Sequence, residues 1–109
     1  MITLQDLYEG STFHGAKVGI KDKNTGTYIT LTGANVIIQF KRDGIIYQEY
    51  STTAGTLMII ENRIIIPEHI STLLAGLYDF DINIIYANEK RATGVARGQW
   101  TILNPITKR

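Results

Sequence analysis

The stretch AGLYDFDINIIY, residues 75–86, sets Asp79 and Asp81 two positions apart. Two carboxyl groups several ångströms apart across a cleft are what acid–base hydrolysis of a glycosidic bond requires, and residues two apart on one strand meet that crude separation. The surrounding pattern points elsewhere. Tyr78, Phe80, Ile82, Ile84 and Tyr86 alternate with Asp79, Asp81, Asn83 and Ile85, so the aromatic residues that would wall a cleft fall on the face opposite the carboxylates. The pair reads as the solvated side of a strand whose other side is core.

The remaining reactive residue types do not assemble into a known local motif. His14 and His69 are far apart and neither has a second histidine at zinc-ligand spacing. Ser11, Ser51 and Ser71 sit in no nucleophile elbow, and GVARG is neither a dinucleotide fingerprint nor a phosphate loop. With no cysteine, disulfides, thiolate nucleophiles and thiolate metal sites are excluded. The sequence therefore predicts no enzyme, no metal and no cofactor. Lys90, Arg91 and Arg97 near Trp100 resemble a basic–aromatic patch, but a net charge of +1 with scattered charges fits a charged hairpin tip better than a nucleic-acid site.

The elements that position these residues follow from composition and pattern. The 109 residues suffice for one domain, and 18 isoleucines and 13 threonines favour pleated sheet over helix. Val36, Ile38 and Phe40 alternate with Ile37, Gln39 and Lys41, Asp43-Gly44 supplies a turn, and IIYQEYST resumes as the partner strand. TLMIIENRIIIP repeats the arrangement around Glu61-Asn62. Pro67 followed by Ile70, Leu73, Leu74 and Gly76 predicts one short helical turn over residues 67–76. The sum is an all-β sandwich of roughly seven or eight strands with that one turn, spanning residues 15–109 behind an N-terminal arm or lead-in at 1–14. No apolar run approaches the roughly 20 residues of a membrane-spanning helix and the N-terminus has no signal-like pattern, so a chain without a membrane partner is expected.

Apolar residues in excess of one core mark contact candidates. Ile37, Ile46, Ile65 and Ile85 fall on the second faces of strands whose first faces already supply the core, which predicts a contiguous exposed patch. Ile2, Leu4, Leu7 and Tyr8 precede the first confident strand and need a partner. They either cover an edge of their own sheet or dock on a neighbouring subunit, and Gly10 and Gly15 as hinges favour the second.

Three stretches, ITLTGANVIIQFK, RIIIPEHISTLLAGLYDFDINIIYAN and GQWTILNPITK, resemble small phage and prophage virion proteins related to the N-terminal domains of baseplate upper proteins. The anchors are Leu31, Thr32, Gly33 and Ala34, then Ala75, Gly76, Tyr78 and Asp79, then Ile106 and Thr107. ANEKRATG replaces the family's usual hairpin tip. The resemblance implies an immunoglobulin-like sandwich and a non-enzymatic structural or adaptor role at a tail, baseplate or head-fibre attachment site. The implied setting is a virion assembled in the host bacterial cytoplasm, with other virion proteins and further copies of the chain as partners. The alternative is a carbohydrate- or ligand-binding module that stacks a glycan on Tyr28, Tyr47 and Tyr50.

Overall fold

The structure, a computed structural model, describes residues 2–22 and 24–104. These residues are all-β and contain no helix. The strands are β1 (Ile2–Thr3), β2 (Leu7–Tyr8), β3 (Thr12–Phe13), β4 (Ala16–Val18), β5 (Asn35–Arg42), β6 (Ile45–Ser51), β7 (Met58–Ile60), β8 (Arg63–Ile66), β9 (His69–Ile70), β10 (Gly76–Ile85) and β11 (Arg91–Leu103). The large sheet runs β1-β11-β10-β5-β6, with β2 also on β11; β4-β8-β7 form a second sheet and β3-β9 a third.

The long strands form where the alternation is regular. Along β10, Tyr78, Phe80, Ile82 and Ile84 are buried, while Asp79, Asp81, Asn83 and Ile85 face away. In β5, Val36, Ile38 and Phe40 are buried likewise. The connecting turns need left-handed backbone, and the sequence supplies residues that tolerate it: Asp43 (φ 54°) and Gly44 (φ 78°) between β5 and β6, Glu61 (φ 50°) and Asn62 (φ 60°) between β7 and β8. The Asn62 side-chain carbonyl also accepts the Leu31 amide at 3.0 Å, tying the loop before β5 to the β7–β8 turn.

All three sheets feed one core. Phe40 sits at its centre, with ring centroids 5.2 Å from Tyr50, 5.2 Å from Phe80 and 5.4 Å from Trp100. Phe13 of β3 meets Trp100 edge-on at 5.0 Å, and Ile64 and Ile66 of β8 are fully buried in the same cluster. A fully buried side chain of this size stabilises the fold by about 1.5–3 kcal/mol relative to exposure.

Two expectations are corrected here. The helical turn over residues 67–76 is absent. His69 and Ile70 pair with Phe13 and Thr12 as β9, and the amides that follow find partners outside a helix. Ser71 N–H donates to the Ser11 carbonyl at 3.1 Å, Leu73 N–H to Ser71 Oγ at 3.3 Å, and Ala75 N–H to the Glu9 carboxylate at 2.6 Å. With those donors engaged elsewhere, no i→i−4 ladder forms.

The N-terminal residues, expected to reach a neighbour, instead cover an edge of their own sheet. β1 and β2 both run parallel to β11, Ile2 opposite Gly98 and Leu7 opposite Ile102. The excursion between them is held by Trp100, whose indole N–H donates to the Gln5 carbonyl at 2.9 Å. Gly98 makes the approach possible, because a Cβ there would overlap both the Ile2 carbonyl oxygen and the Phe80 ring. Leu4 is buried, Ile2 and Leu7 pack against the core, and Tyr8 alone of the four is exposed.

Candidate functional site

Asp79 and Asp81 lie side by side on the outer face of the large sheet, inside a polar ladder set by strand register. Across the sheet, Glu49, Gln39, Asp81 and Arg97 form one row, and Ile46, Lys41, Asp79 and Gln99 the next. Gln39 Nε2 donates to Glu49 at 2.7 Å, Gln99 Nε2 donates to Asp79 at 3.2 Å, and Lys41 Nζ stands 3.8 Å from Asp81. Pairs this open to solvent contribute about 0–1 kcal/mol. Asp81 Oδ1 is buried without a hydrogen-bond partner among the described residues. The shallow cleft beside the two aspartates, about 310 Å³, is lined by Lys41, Asp79, Phe80, Asp81, Arg97 and Gly98. It gathers no histidine and no hydroxyl nucleophile around the carboxylates. Among the described residues, no three His, Asp or Glu side chains converge as a metal-binding set.

A second cleft joins β6 to β9. Tyr50, buried from β6, donates its phenol to His69 Nε2 at 2.6 Å, and His69 Nδ1–H donates to the Pro67 carbonyl at 2.8 Å. The carbonyl fixes the tautomer, because an acceptor at Nδ1 requires the proton there and leaves Nε2 as the acceptor for Tyr50. The imidazole is also wedged edge-on between Tyr50 (5.1 Å) and Phe13 (5.6 Å). Burial pushes the Tyr50 phenol up to about 12. The cleft holds about 290 Å³, with Gln48, Thr56, Ile70 and Thr72 at its mouth, where Thr72 Oγ1 donates to Gln48 Oε1 at 2.9 Å. Its polar groups largely satisfy one another, so it acts first as a clamp between sheets. His14 does not line this cleft; it is paired at 2.9 Å with Glu68 on the exposed surface.

The four isoleucines expected to make one patch do not. Ile37 and Ile85 are half-buried diagonal neighbours on the outer face of the large sheet, Ile37 opposite Asn83 and Ile85 opposite Asn35. Ile46 is exposed at the other end of that face, beside Lys41. Ile65 is half-buried on a different sheet. Register separates what the sequence groups only by type. The stacking triad for a glycan is broken as well: Tyr50 is buried, Tyr47 packs 5.8 Å from Tyr78 beneath Arg42, and Tyr28 lies on the small sheet.

What the sequence reading missed is where the large exposed apolar side chains gather. Ile45, Ile46 and Tyr47 line β6, the free edge of the large sheet, and Met58 and Ile60 line β7, a free edge of the small one. Ile70, Leu74 and Leu77 are also exposed, around the segment that was expected to be helical. The signal was present as IIY and MII immediately flanking tight turns. Unpaired edges bearing large apolar groups are templates for another chain.

No family model, no curated protein and no solved structure matches this chain.

Proposed function

We propose that the protein is a non-enzymatic structural or adaptor unit of a bacteriophage particle, at a tail, baseplate or head-fibre attachment site, working through protein–protein contacts. One observation carries this reading: β6 and β7 are free sheet edges that expose Ile45, Ile46, Tyr47, Met58 and Ile60. Monomeric proteins ordinarily blunt such edges with charge, proline, bulges or coverage; among the described residues β1 and β2 cover the β11 edge, whereas β7 carries only Met58, Ile59 and Ile60, and β6 has a bulge and Glu49 but still exposes Ile45, Ile46 and Tyr47. The setting in a virion rests on the sequence resemblance, which also supports describing the sheets as an immunoglobulin-like sandwich. The engagement of Asp79 by Gln99 and of Asp81 by Lys41 across the strand ladder supports the non-enzymatic part of the reading.

Quantitative mass spectrometry of particles from the phage or prophage that encodes the chain tests the proposal. The native chain is expected in a fixed copy number per particle. Ile46→Asp and Ile60→Asp together should abolish incorporation while leaving the free chain folded, since both side chains are exposed. Absence of the native chain from particles overturns the reading.

A further inference from the structure

The three-stranded sheet ends at β7, paired only with β8, and its register decides what that free edge offers. Glu61 and Asn62, both with positive φ, form a two-residue turn that closes on Ile60 and Arg63 as a hydrogen-bonded pair. Pairs alternate along an antiparallel ladder, so Met58 bonds to Ile65, whereas Ile59 and Ile64 face each other without bonds. The N–H and C=O of Ile59 therefore both point to the open side, and neither finds a backbone partner in a neighbouring loop among the described residues. At Leu57 that side is closed, because its N–H donates to the Ser51 carbonyl at 3.1 Å.

The side chains are arranged about the same residue. Ile59 continues an inner row with the buried Val18 and Ile64, yet is itself only half-buried at the rim. On the outer face Met58 and Ile60 flank it, 45% and 53% exposed. Behind Met58 the row continues to Ile65 and Lys17, and behind Ile60 to Arg63. The cations lie toward β4: Tyr28 holds the Arg63 guanidinium 3.3 Å from its ring centroid, with Lys21 Nζ 5.3 Å from the same ring. β7 itself carries no charge. The other free edge, β6, has a bulge and carries Glu49.

From this arrangement we infer that β7 pairs with β7 of a second copy, antiparallel about a two-fold axis at Ile59, joining two three-stranded sheets into one of six. Each Ile59 N–H donates to the Ile59 carbonyl of the other copy, so both open groups are satisfied together. Met58 of one copy stands opposite Ile60 of the other as a non-hydrogen-bonded pair, the arrangement in which side chains approach closest. Each outer row then reads Lys17, Ile65 and Met58, followed by Ile60 and Arg63 of the other copy, so the cations fall at its ends. They are four strand spacings apart, about 19 Å, beyond the screening length at physiological salt. On the inner face Ile59 meets Ile59, and the rim of each core is covered. β7 has no polar side chain with which to select a foreign sequence, whereas its Met-Ile-Ile pattern is its own apolar complement when reversed about Ile59. The edge is short, so the free chain dimerises weakly, with Kd on the order of 100 μM, and the many copies in a particle supply the concentration that populates the pair. The inference rests on the contact role proposed above and names the occupant of one edge.

Sedimentation velocity of the full chain from about 10 μM to about 1 mM tests it, and monomer is expected to give way to dimer across that range. The NMR amide signal of Ile59 should shift with concentration. Met58→Lys and Ile60→Asp, both at exposed positions, should each weaken dimerisation about tenfold by setting a charge against an aliphatic side chain. Mixed in equal amounts, the two variants should pair with each other at least about tenfold more tightly than either pairs with itself, because the introduced lysine and aspartate then face each other. Lys17→Glu, outside the contact, should change the dimer by less than about twofold. A chain that stays monomeric to about 1 mM overturns the inference. So does self-association that survives both variants, which would assign it to another surface, or a mixture that pairs no more tightly than its components. A native chain that stays monomeric yet enters particles overturns this inference alone, whereas absence from particles overturns the broader role.

Discussion

The Tyr50 phenol donates to His69 Nε2 at 2.6 Å, and through His69 it reaches the Pro67 carbonyl, so one chain of hydrogen bonds fastens the edge strand β6 to the short β9. Tyr50→Phe keeps the ring in the core and leaves His69 Nε2 without its donor. Losing a part-buried hydrogen bond of this kind costs about 0.5–1.5 kcal/mol, which urea denaturation at neutral pH will read.

The same phenol sets an alkaline limit. The unfolded tyrosine releases its proton near pH 10, whereas burial holds it in the native state to about 12. Between those values the unfolded chain binds fewer protons, so stability is fully present below pH 10 and falls as pH rises toward 12, by roughly 2–3 kcal/mol in all. Denaturation midpoints at pH 9 and pH 11.5 should show this fall in the native chain and a smaller one in Tyr50→Phe. An equal fall in both would remove Tyr50 as its source.

The two faces of β10 make opposite predictions. Asp79→Asn and Asp81→Asn should each change stability by within about 0.5 kcal/mol. Phe80→Ala, emptying a site beside Phe40, should cost about 3–5 kcal/mol. Equal losses in chemical denaturation of the three variants would contradict the face assignment.

Removing residues 1–10 should destabilise the chain by about 3 kcal/mol or more. It uncovers the β11 edge, loses the buried Leu4, and strips the Trp100 indole of its acceptor. Gly98→Ala should act in the same direction through the same edge, because its methyl group displaces the Ile2 carbonyl. Thermal melts will compare both with the native chain. An unchanged melting temperature for the truncated chain would make the arm dispensable to the fold.

The parts of this architecture legible in the sequence are those specified locally. Alternation assigned the buried faces of β5 and β10, and Asp43-Gly44 and Glu61-Asn62 fixed two turns, because period-two patterning and positive φ leave marks within a few residues. The N-terminal pairing left none. Its strands are two residues long and exist only through β11, nearly a hundred positions away. Tyr50 was misplaced for a different reason. A bulge between Phe40 and Lys41 shifts register along β6, so Ile46 and Tyr50, which strict alternation would put on one face, fall on opposite faces and Tyr50 is buried. The cationic face of the small sheet was hidden because Lys17, Tyr28 and Arg63 come from three separate segments joined only by pairing.

The central claim is that the free edges β6 and β7 are contact surfaces within a particle, and amide hydrogen exchange tests it most directly. The backbone N–H groups of residues 45–47 and 58–60 that point to the open side of β6 and β7 should exchange rapidly in the free chain and become strongly protected in purified particles, while those at Asp79 and Asp81, on a strand paired on both sides, change little. Unchanged exchange at both edges in particles that contain the chain would contradict the account.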